Sequence, residues 1–393
     1  MEIQLPEVPL LRIFSLLDGL SLLRVCQVNK YWNKVANSDH LWRNLCLKRW
    51  SFPYQCLGMV TWKQFFLTQT KRERRMACAR PEDFVYKEAT GNLGILGPMA
   101  YLSGGGFPMS GQEKSLICTV SSKRMLFVWD VQEVGNSEGD IFTLTVPELR
   151  NVSKVNAFNY SVDLLRCSPD KKWIFAGGIH QHIVPRVLVT ECLLRPSADR
   201  APLSVSLPFP FCCGACWAPR RANRITLMFR RASFKKTGFA TFDLTTEWTQ
   251  DGTIIQANQI ASFLLPINME SPICMGVGDG NVIVFESGPH LFLFTINGFL
   301  LQQFQDHQLT ICNLWVDYLR VLTTSMDNYL HLYTWEEEGR YPHLKSCCHL
   351  EHRRDDHAPS CYYSKAICDN TSIVCVVSRN RESSVLVMYS LNM

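Results

Sequence analysis

The sequence predicts a multidomain protein in which a short α-helical module and a linker helix are followed by an all-β propeller. Three observations carry this prediction. Apolar residues recur at helical spacing through roughly the first eighty residues, and from about residue 83 they alternate with period 2. Turn-rich segments then recur between short strands, at 121–124, 168–172, 278–281, 325–328 and 368–372. The predicted boundaries are 1–50 for the module, 51–80 for the linker helix region and 81–393 for the propeller.

The composition is that of a folded protein without strong electrostatic specialisation. Of 393 residues, 47% are hydrophobic and 19% charged, and the formal net charge is +5. This charge is mild, so no nucleic-acid partner is predicted. The N-terminus has no basic segment before an apolar run, and no apolar stretch approaches the roughly 18 residues of a membrane span, so neither secretion nor a membrane partner is predicted. We expect a cytoplasmic or nuclear protein whose 17 cysteines stay reduced.

Apolar stripes predict three or four short helices within the first fifty residues. The first stripe consists of Leu10, Ile13, Phe14 and Leu17, at positions i, i+3, i+4 and i+7. Ser21 is predicted to cap the second helix, and Ser38 with Asp39 a later one. These helices are too short to be stable alone, so the pattern predicts a compact helical module.

A further helix is predicted from Thr61 to Met76, with a basic end at Lys71–Arg75. Cations at the C-terminus of a helix interact favourably with its dipole, which favours a solvated end of a linker helix. A patch for nuclear import or for an acidic partner is the alternative.

The all-β part repeats a unit of short strands whose third member is the most regular. These third strands end at Asp130, Thr190, Asp243, Thr295, Thr334 and Tyr389. Their spacing of roughly 40–55 residues is typical of a propeller with variable loops, in which each unit forms one four-stranded blade. Six units are recognisable, and about 310 residues also fit seven blades.

The last unit lacks an outer strand of its own. Only Asn392 and Met393 follow its third strand, which spans residues 385–391. We therefore expect Phe84–Lys87, the first strand after the helices, to pair there and close the ring with strands from both ends of the chain.

The helical module resembles the F-box. The motifs that carry the resemblance are, in order, Leu5-Pro6, Ile13-Phe14, Leu17-Asp18, Leu22-Leu23, Val28 with Trp32, and Leu41-Trp42. With the propeller behind it, the chain resembles the F-box/WD-repeat proteins, and its N-terminal sequence is similar to that of the protein 12 group of this family. It departs from the family at Val8 and Pro9, where an acidic residue and a leucine are usual. The repeats are degenerate: Trp129-Asp130 is the one Trp-Asp dipeptide and no Gly-His dipeptide occurs, so the Asp-His-Ser-Trp network of WD repeats is not expected in most blades.

The resemblance implies a non-catalytic substrate-recognition subunit of a cullin-RING (SCF-type) ubiquitin ligase. Its implied partners are a Skp-family adaptor, the cullin and RING subunits and an unidentified substrate protein. The residues implied to contact the adaptor are Leu5, Pro6, Ile13, Leu22, Val28 and Trp32. A propeller scaffold that does not bind the adaptor is the alternative.

Charge in the loops joining second to third strands predicts where a substrate binds. The candidate substrate-binding residues in these loops are Lys123, Arg124, Arg186, Arg230, Arg231, Lys235, Lys236, Arg379 and Arg381, joined by His180 and His182. The fourth and fifth units instead carry Glu286 with His290, and Asp327. In a six-bladed ring the basic loops would form one arc suited to an acidic or phosphorylated segment. The alternative is that exposed turns simply collect Lys and Arg.

No motif in the sequence predicts an enzyme, a cofactor or a metal. Two clusters have residue types that bind zinc, namely Cys213 with Cys216, and Cys347, Cys348, His349 and His352. Their spacing lacks the tight second pair of known zinc modules. Gly104–Gly106 lacks the Lys-Ser/Thr of a phosphate-binding loop.

Overall fold

A computed structural model describes most of the chain. The described residues are 5–50, 61–88, 96–102, 116–121, 132–135, 140–144, 151–156, 162–179, 183–194, 203–231, 236–249, 252–337, 339–351, 362–380 and 383–391. The chain divides into two compact units: Met1–Cys78 with Tyr101–Ile117, which we call the helical unit after its main elements, and Ala79–Ala100 with Cys118–Met393, which we call the β unit. No helix in these ranges has both the length and the apolar run needed to cross a membrane.

The described residues of the helical unit form five helices. They are α1 (Glu7–Phe14), α2 (Gly19–Val25), α3 (Lys30–Ala36), α4 (Asp39–Arg49) and α5 (Trp62–Ala77). The prediction of a helix from Thr61 to Met76 is confirmed to within one residue.

Short polar side chains cap three of the helices in the described residues. Ser38 occupies the N-cap position of α4, as predicted, but its side chain makes no capping hydrogen bond. The Asp18 carboxylate accepts from Ser21 N at 2.7 Å, so Asp18 caps α2 and the prediction that Ser21 does so was wrong. Asn29 caps α3 by accepting from Trp32 N at 2.7 Å. Thr61 and Gln64 form a capping box at α5, which satisfies two otherwise unpaired backbone donors.

Helix α5 packs against α4 through an aromatic and ionic core. The rings of Trp42 and Trp50 both lie 5.4 Å from that of Phe66 in edge-on geometry. The buried Glu73 carboxylate accepts from Arg49 at 2.7 Å and from the Trp50 indole at 2.5 Å. This helix is therefore part of the core of the helical unit and not an independent linker.

The β unit is built mainly from four-stranded antiparallel sheets. After a 3-10 turn at Pro81–Asp83, the strands up to the first complete internal sheet are β1 (Phe84–Glu88), β2 (Leu96–Leu102), β3 (Leu116–Ser121), β4 (Gln132–Gly135), β5 (Asp140–Leu144) and β6 (Asn151–Asn156). The next two sheets contain β7 (Leu164–Cys167), β8 (Trp173–Gly177), β9 (Arg186–Val189), β10 (Ser204–Ser206), β11 (Cys212–Ala218), β12 (Arg221–Arg231), β13 (Lys236–Thr249) and β14 (Gly252–Leu264), with a short helix α6 (Thr190–Leu194) after β9. The last three contain β15 (Met275–Gly278), β16 (Val282–Ser287), β17 (His290–Thr295), β18 (Leu300–Phe304), β19 (Ile311–Val316), β20 (Arg320–Ser325), β21 (Tyr329–Glu336), β22 (His343–Glu351), β23 (Tyr362–Cys368), β24 (Ser372–Asn380) and β25 (Ser383–Leu391).

Five complete sheets follow the chain in order. They pair as β7-β8-β9-β10, β11-β12-β13-β14, β15-β16-β17-β18, β19-β20-β21-β22 and β23-β24-β25-β1. The third strands predicted to end at Thr190, Asp243, Thr295, Thr334 and Tyr389 are the third strands of these sheets, so the repeat is confirmed there. The strand predicted to end at Asp130 lies outside the described residues. Of the remaining strands, β2 pairs with β3, and β4, β5 and β6 form a three-stranded sheet.

The ring is closed by strands from distant parts of the chain, as predicted. Strand β1 pairs antiparallel with β25 in a register that places Phe84 opposite Leu391, Tyr86 opposite Tyr389 and Glu88 opposite Val387. The fourth strand of this sheet thus comes from residues that precede all the others, and it covers an edge that would otherwise be open.

Consecutive sheets pack face to face around their first strands, which lie next to one another in the order β7, β11, β15, β19, β23. Three of these interfaces have an apolar cluster drawn from both sheets; Phe175 and Phe242 belong to the first, and Phe239 and Phe285 to the second. This radial packing of four-stranded sheets is a β-propeller.

Buried arginines add a polar link between neighbouring sheets. The Arg224 guanidinium donates to both carboxylate oxygens of Asp243 at 2.6 Å and to Asn281 in the first turn of the next sheet. In the same way, Arg320 donates to Asn370 of the following sheet at 2.7 Å.

Candidate protein-interaction surfaces

The helical unit exposes several large apolar side chains. Six of them have exposed fractions between 45% and 84%, and we call them the exposed apolar surface: Leu5, Val8, Ile13, Leu16, Leu20 and Val28. All come from α1, α2 and the residues beside these helices. Large apolar side chains left exposed on short helices of a small folded module are typical of a protein-binding site.

The structure separates the predicted adaptor-binding residues into surface and core. Leu5, Ile13 and Val28 are exposed, as is Pro6 at the N-cap of α1. The prediction that Leu22 contacts the adaptor was wrong. Its side chain is 0% exposed and stabilises the helical core.

Trp32 has an intermediate position. It is half-buried, and its ring lies 5.6 Å from that of Phe14 in a T-shaped arrangement. Its first role is therefore to support α1, and only its outer edge is accessible to a partner.

Sequence reasoning missed three members of the exposed apolar surface: Val8, Leu16 and Leu20. The signal was present for Leu16, which falls outside the buried stripe of α1 yet is strongly apolar. Val8 was noted only as a departure from the family, although its exposure makes it a further apolar contact.

In the β unit, the predicted basic residues lie near the connections between second and third strands. We define the connection face as the side carrying these connections together with the links between successive sheets. Arg186 begins β9, Arg230 and Arg231 end β12, and Lys236 begins β13. Arg379 lies near the end of β24. The other predicted residues, Lys123, Arg124, His180, His182, Lys235 and Arg381, lie outside the described residues.

Three of these cations have no carboxylate partner within the described ranges, namely Arg230, Arg231 and Lys236. The Nε atom of Arg230 is buried without a hydrogen-bond partner there. Burial raises the pKa of the Cys213 thiol, and the neighbouring Arg230 opposes that shift. A guanidinium without a carboxylate partner is available to bind an anion.

Two acidic residues predicted in the loops of this face are turned inward. Glu286 is 1% exposed, and its carboxyl group accepts hydrogen bonds from Ile273 N and Cys274 N. Burial raises its pKa to about 7, although the two amides act in the opposite direction. Glu286 therefore organises the link into β15 and is not a surface acid.

Asp327 belongs to a buried network with His307. The His307 ring contacts the Asp327 carboxylate through Nδ1 at 3.1 Å and the Thr323 hydroxyl through Nε2 at 2.9 Å. Burial lowers the pKa of His307, which keeps the ring neutral. Because a carboxylate only accepts, Nδ1–H donates to Asp327, and Nε2 accepts from Thr323.

This network completes a WD-repeat pattern that the sequence did not reveal in this sheet. Asp306-His307 stands where Gly-His is usual, and Tyr333 replaces the tryptophan and donates to Asp306 at 2.7 Å. The sheet β19-β20-β21-β22 therefore departs from the general degeneracy of the repeats.

The described cysteines among the potential zinc ligands make contacts within the β-sheets. Cys213 and Cys216 donate to backbone carbonyl oxygens at 3.4 Å, and burial raises the pKa of the Cys348 thiol to about 12. Within the ranges given above, no three His, Cys, Asp or Glu side chains converge in a metal-binding group. His352 lies outside those ranges.

The opposite side of the β unit carries two shallow clefts beside first-to-second-strand turns. Arg220 borders both, together with Asp279 and Gly280. Its guanidinium is held by Asp279 at 3.3 Å and Glu337 at 2.9 Å, so the charge of Arg220 is paired within the chain.

Comparison with known proteins gives a family match to the helical module and full-length relatives of the chain. A family model described as F-box-like matches residues 3–48. F-box/WD repeat-containing protein 12 of Homo sapiens is 46% identical over 465 aligned positions, covering 100% of both chains. F-box/WD repeat-containing protein 15 of Mus musculus is 33% identical, covering 100% of this chain and 99% of that protein. The crystal structure of the Cps50 (Swd1) β-propeller domain of Myceliophteria thermophila aligns with 67% of this chain and 80% of its own, at 10% identity and a TM-score of 0.47. The full-length similarity to two F-box/WD-repeat proteins, which agrees with the resemblance found in the sequence, places this chain in the F-box/WD-repeat family.

Proposed function

We propose that this chain is a substrate-recognition subunit of a cullin-RING (SCF-type) ubiquitin ligase. Its F-box/WD-repeat relatives suggest a substrate-recognition role in such ligases in general. The finer proposal is that the helical unit docks on a Skp-family adaptor while the propeller holds a substrate protein. The observation that carries it is the exposed apolar surface of the helical unit.

The physical argument for docking rests on solvation. Leaving Ile13 and Val28 about half exposed costs the free chain roughly 25 cal/mol for each Å² of apolar area in contact with water. A partner groove that covers α1 and α2 recovers this free energy, as when an amphipathic helix binds in a groove. The buried residues Leu10, Phe14 and Leu22 hold the helices in place behind that surface.

In this role the chain positions the substrate and does not itself catalyse the transfer of ubiquitin. Cullin and RING subunits would bring a ubiquitin-charged enzyme near the bound substrate, so that the reaction is accelerated by proximity. We propose that the chain acts in the cytoplasm or the nucleus.

Co-purification of the tagged full chain tests adaptor docking. We expect Ile13→Ser with Val28→Ser to reduce recovery of the adaptor and cullin at least tenfold, because two apolar anchors are worth about 1.5–3 kcal/mol each when buried. Leu67→Ser is the matched control, since Leu67 is an exposed apolar residue on α5 outside this surface. Equal recovery from wild type and the double variant would instead favour a scaffold that works without the adaptor.

We further propose that the connection face binds an acidic or phosphorylated segment of the substrate. Support comes from Arg230, Arg231 and Lys236, which have no carboxylate partner in the described part of the chain. Charge reversal by Arg230→Glu with Lys236→Glu is expected to abolish substrate capture without affecting adaptor recovery. Substrate capture that survives this reversal would rule out the electrostatic role.

A further inference from the structure

The outer strand β14 differs from the outer strands of the other complete sheets. It spans 13 residues and pairs with β13 from Gly252 to Leu264. The outer strands of the other complete sheets, β10, β18, β22 and β1, have 3, 5, 9 and 5 residues. A β-propeller normally leaves only short edges exposed. The edge of β14 is therefore the longest among these sheets.

In the part of the chain that the structure describes, no strand lies on the outer side of β14. The sheet order ends at this strand, which has β13 as its single neighbour. The hairpin of β13 and β14 also extends beyond β12, because the pairing of β12 with β13 ends at Arg224 and Asp243 while β13 and β14 pair as far as Thr249 and Gly252. Such an edge presents a row of N–H and C=O groups to another strand.

The sequence of β14 lacks the features that usually protect an edge. Charged residues and proline discourage pairing with another chain, and none occurs in residues 252–264. By contrast, β22 and β1 carry Lys345 and Lys87. The pairing of β14 with β13 is irregular at Ile260, so the regular edge is Gly252–Gln259, which we call the open edge.

The open edge is held in place from the core side. Ile255 is 7% exposed and belongs to the apolar cluster shared with the preceding sheet, whereas the adjacent Ile254 is 45% exposed. Asn258 and Gln259 are also exposed. A fixed strand loses little entropy on binding, and an exposed isoleucine is stabilised when it is covered. The open edge is thus preorganised to pair with one more strand.

The chemistry of the open edge favours a second copy of itself as that strand. The acidic residues opposite it on β13 are engaged within the chain, since Glu247 accepts from Gln256 at 2.7 Å and Asp243 binds Arg224. A complementary strand is therefore uncharged and contains β-branched residues, as β14 itself does. Two identical antiparallel strands are related by a two-fold axis, and here no like charges are opposed across it.

We propose that the open edges of two copies of this chain pair antiparallel and form a homodimer. The four-stranded sheets β11-β12-β13-β14 of the two copies then become one continuous sheet across the two-fold axis. Main-chain hydrogen bonds hold the pair together, and Ile254 is covered by the partner strand. This inference goes beyond the proposed function and does not rest on it, because it uses neither the exposed apolar surface nor the basic residues of the connection face.

Sedimentation of the purified full chain over a range of concentrations measures the association. We expect a species of twice the chain mass of 45.0 kDa. Ile254→Lys with Asn258→Lys should weaken the dimer about tenfold or more, because like charges then face each other across the axis. Both side chains are exposed, so we expect the variant to fold, as checked by circular dichroism and the midpoint of thermal unfolding.

The matched control is Leu300→Lys with Gln303→Lys. These residues are also one aliphatic and one amide side chain, both exposed, on the outer strand β18 of the next sheet. The control adds the same charge to a different edge, so the dimer should dissociate at the same concentration as the wild type.

A charge swap separates lost pairing from misfolding. Ile254→Glu with Asn258→Glu should be monomeric alone, as the Lys variant is. When the two variants carry different tags and are mixed, they should co-purify, because opposite charges now face each other across the axis.

Hydrogen exchange measured by mass spectrometry locates the contact. Peptides that cover the open edge should exchange more slowly in the wild-type dimer than in the Lys variant, since the partner strand protects amides of β14.

The proposal is overturned if the wild-type chain sediments as a monomer at every concentration; slow exchange at the open edge of such a monomer would show that a segment of the same chain covers it. A dimer that persists in the Lys variant, or that dissociates equally in the control, also overturns it. So does failure of the Lys and Glu variants to associate when mixed.

Discussion

Glu286 illustrates, at the scale of single residues, how burial changes what a loop residue does. Its sequence position between two strands predicts a surface acid, yet the side chain points inward and caps the link into β15. Whether a polar side chain is available to a partner depends on neighbours that are distant in sequence, and so Leu22 and Glu286 were both misassigned from sequence alone. Ile13 and Val28 were assigned to a partner-contacting surface by the resemblance to the F-box alone, since helical spacing places Ile13 in the same apolar stripe as the buried Leu10 and Phe14.

The raised pKa of Glu286 predicts a specific dependence of stability on pH. The folded chain retains a proton on this carboxyl group up to about pH 7, whereas an ordinary glutamate releases it near 4.5. The stabilisation from this proton is complete below the ordinary pKa and is lost as pH rises through 7, by up to about 3 kcal/mol.

Glu286→Gln should remove that dependence, since the amide oxygen still accepts from Ile273 N and Cys274 N but does not titrate. Urea unfolding at pH 5 and pH 8 measures the free energy of unfolding of both proteins. The wild type should lose more stability than the variant between these values, and identical losses would show that Glu286 is ionised at both.

His307 gives a second residue-scale prediction. His307→Ala leaves the buried Thr323 hydroxyl and the Asp327 carboxylate without their partner and opens a cavity, so we expect a loss of about 3 kcal/mol in the free energy of unfolding. His343→Ala is the control, because His343 forms only a partly exposed pair with Glu336 at 3.1 Å and should lose less than about 1 kcal/mol. Comparable losses in the two variants would contradict a structural role for the network.

At the scale of elements, the sequence predicted the repeating strands well because their signals are local. Alternating apolar residues and turn residues identify β9, β13, β17, β21 and β25 without knowledge of the rest of the chain. The pairing of β1 with β25 was also predictable, because the last unit lacked an outer strand. By contrast, Arg224 and Arg320 contact turns of the next sheet, and such contacts leave no periodic signal in the sequence.

The register of the closing strand can be tested by cross-linking. Val85 lies opposite Ser390, and opposed residues in antiparallel strands have Cα atoms roughly 4.5–5.5 Å apart, within the range of a disulfide. Val85→Cys with Ser390→Cys should therefore form a disulfide on oxidation, seen by peptide mapping, and raise the midpoint of thermal unfolding.

A mismatched pair provides the control for this register. Val85→Cys with Leu386→Cys places the thiols about 13 Å apart along the strand and should not cross-link. Efficient cross-linking of the mismatched pair, or none in the matched pair, would contradict the observed closure.

At the scale of the whole molecule, the proposed function assigns the two units to different partners. The helical unit offers apolar side chains of α1 and α2, and the β unit offers the basic residues of the connection face. A substrate receptor needs two such surfaces, since it must hold the ligase and the substrate together. Substitutions should then separate the functions: those in the helical unit should remove adaptor binding alone, and those on the connection face should remove substrate capture alone.

The central claim is that adaptor docking by this chain controls the level of proteins bound to its propeller. Proximity labelling by the full chain in cells, comparing wild type with Ile13→Ser and Val28→Ser, measures this most directly. We predict that a set of proteins labelled by both forms is at least severalfold more abundant with the double variant, because captured substrates are no longer ubiquitinated. If adaptor binding is lost and no labelled protein changes in abundance, the chain is not a substrate receptor.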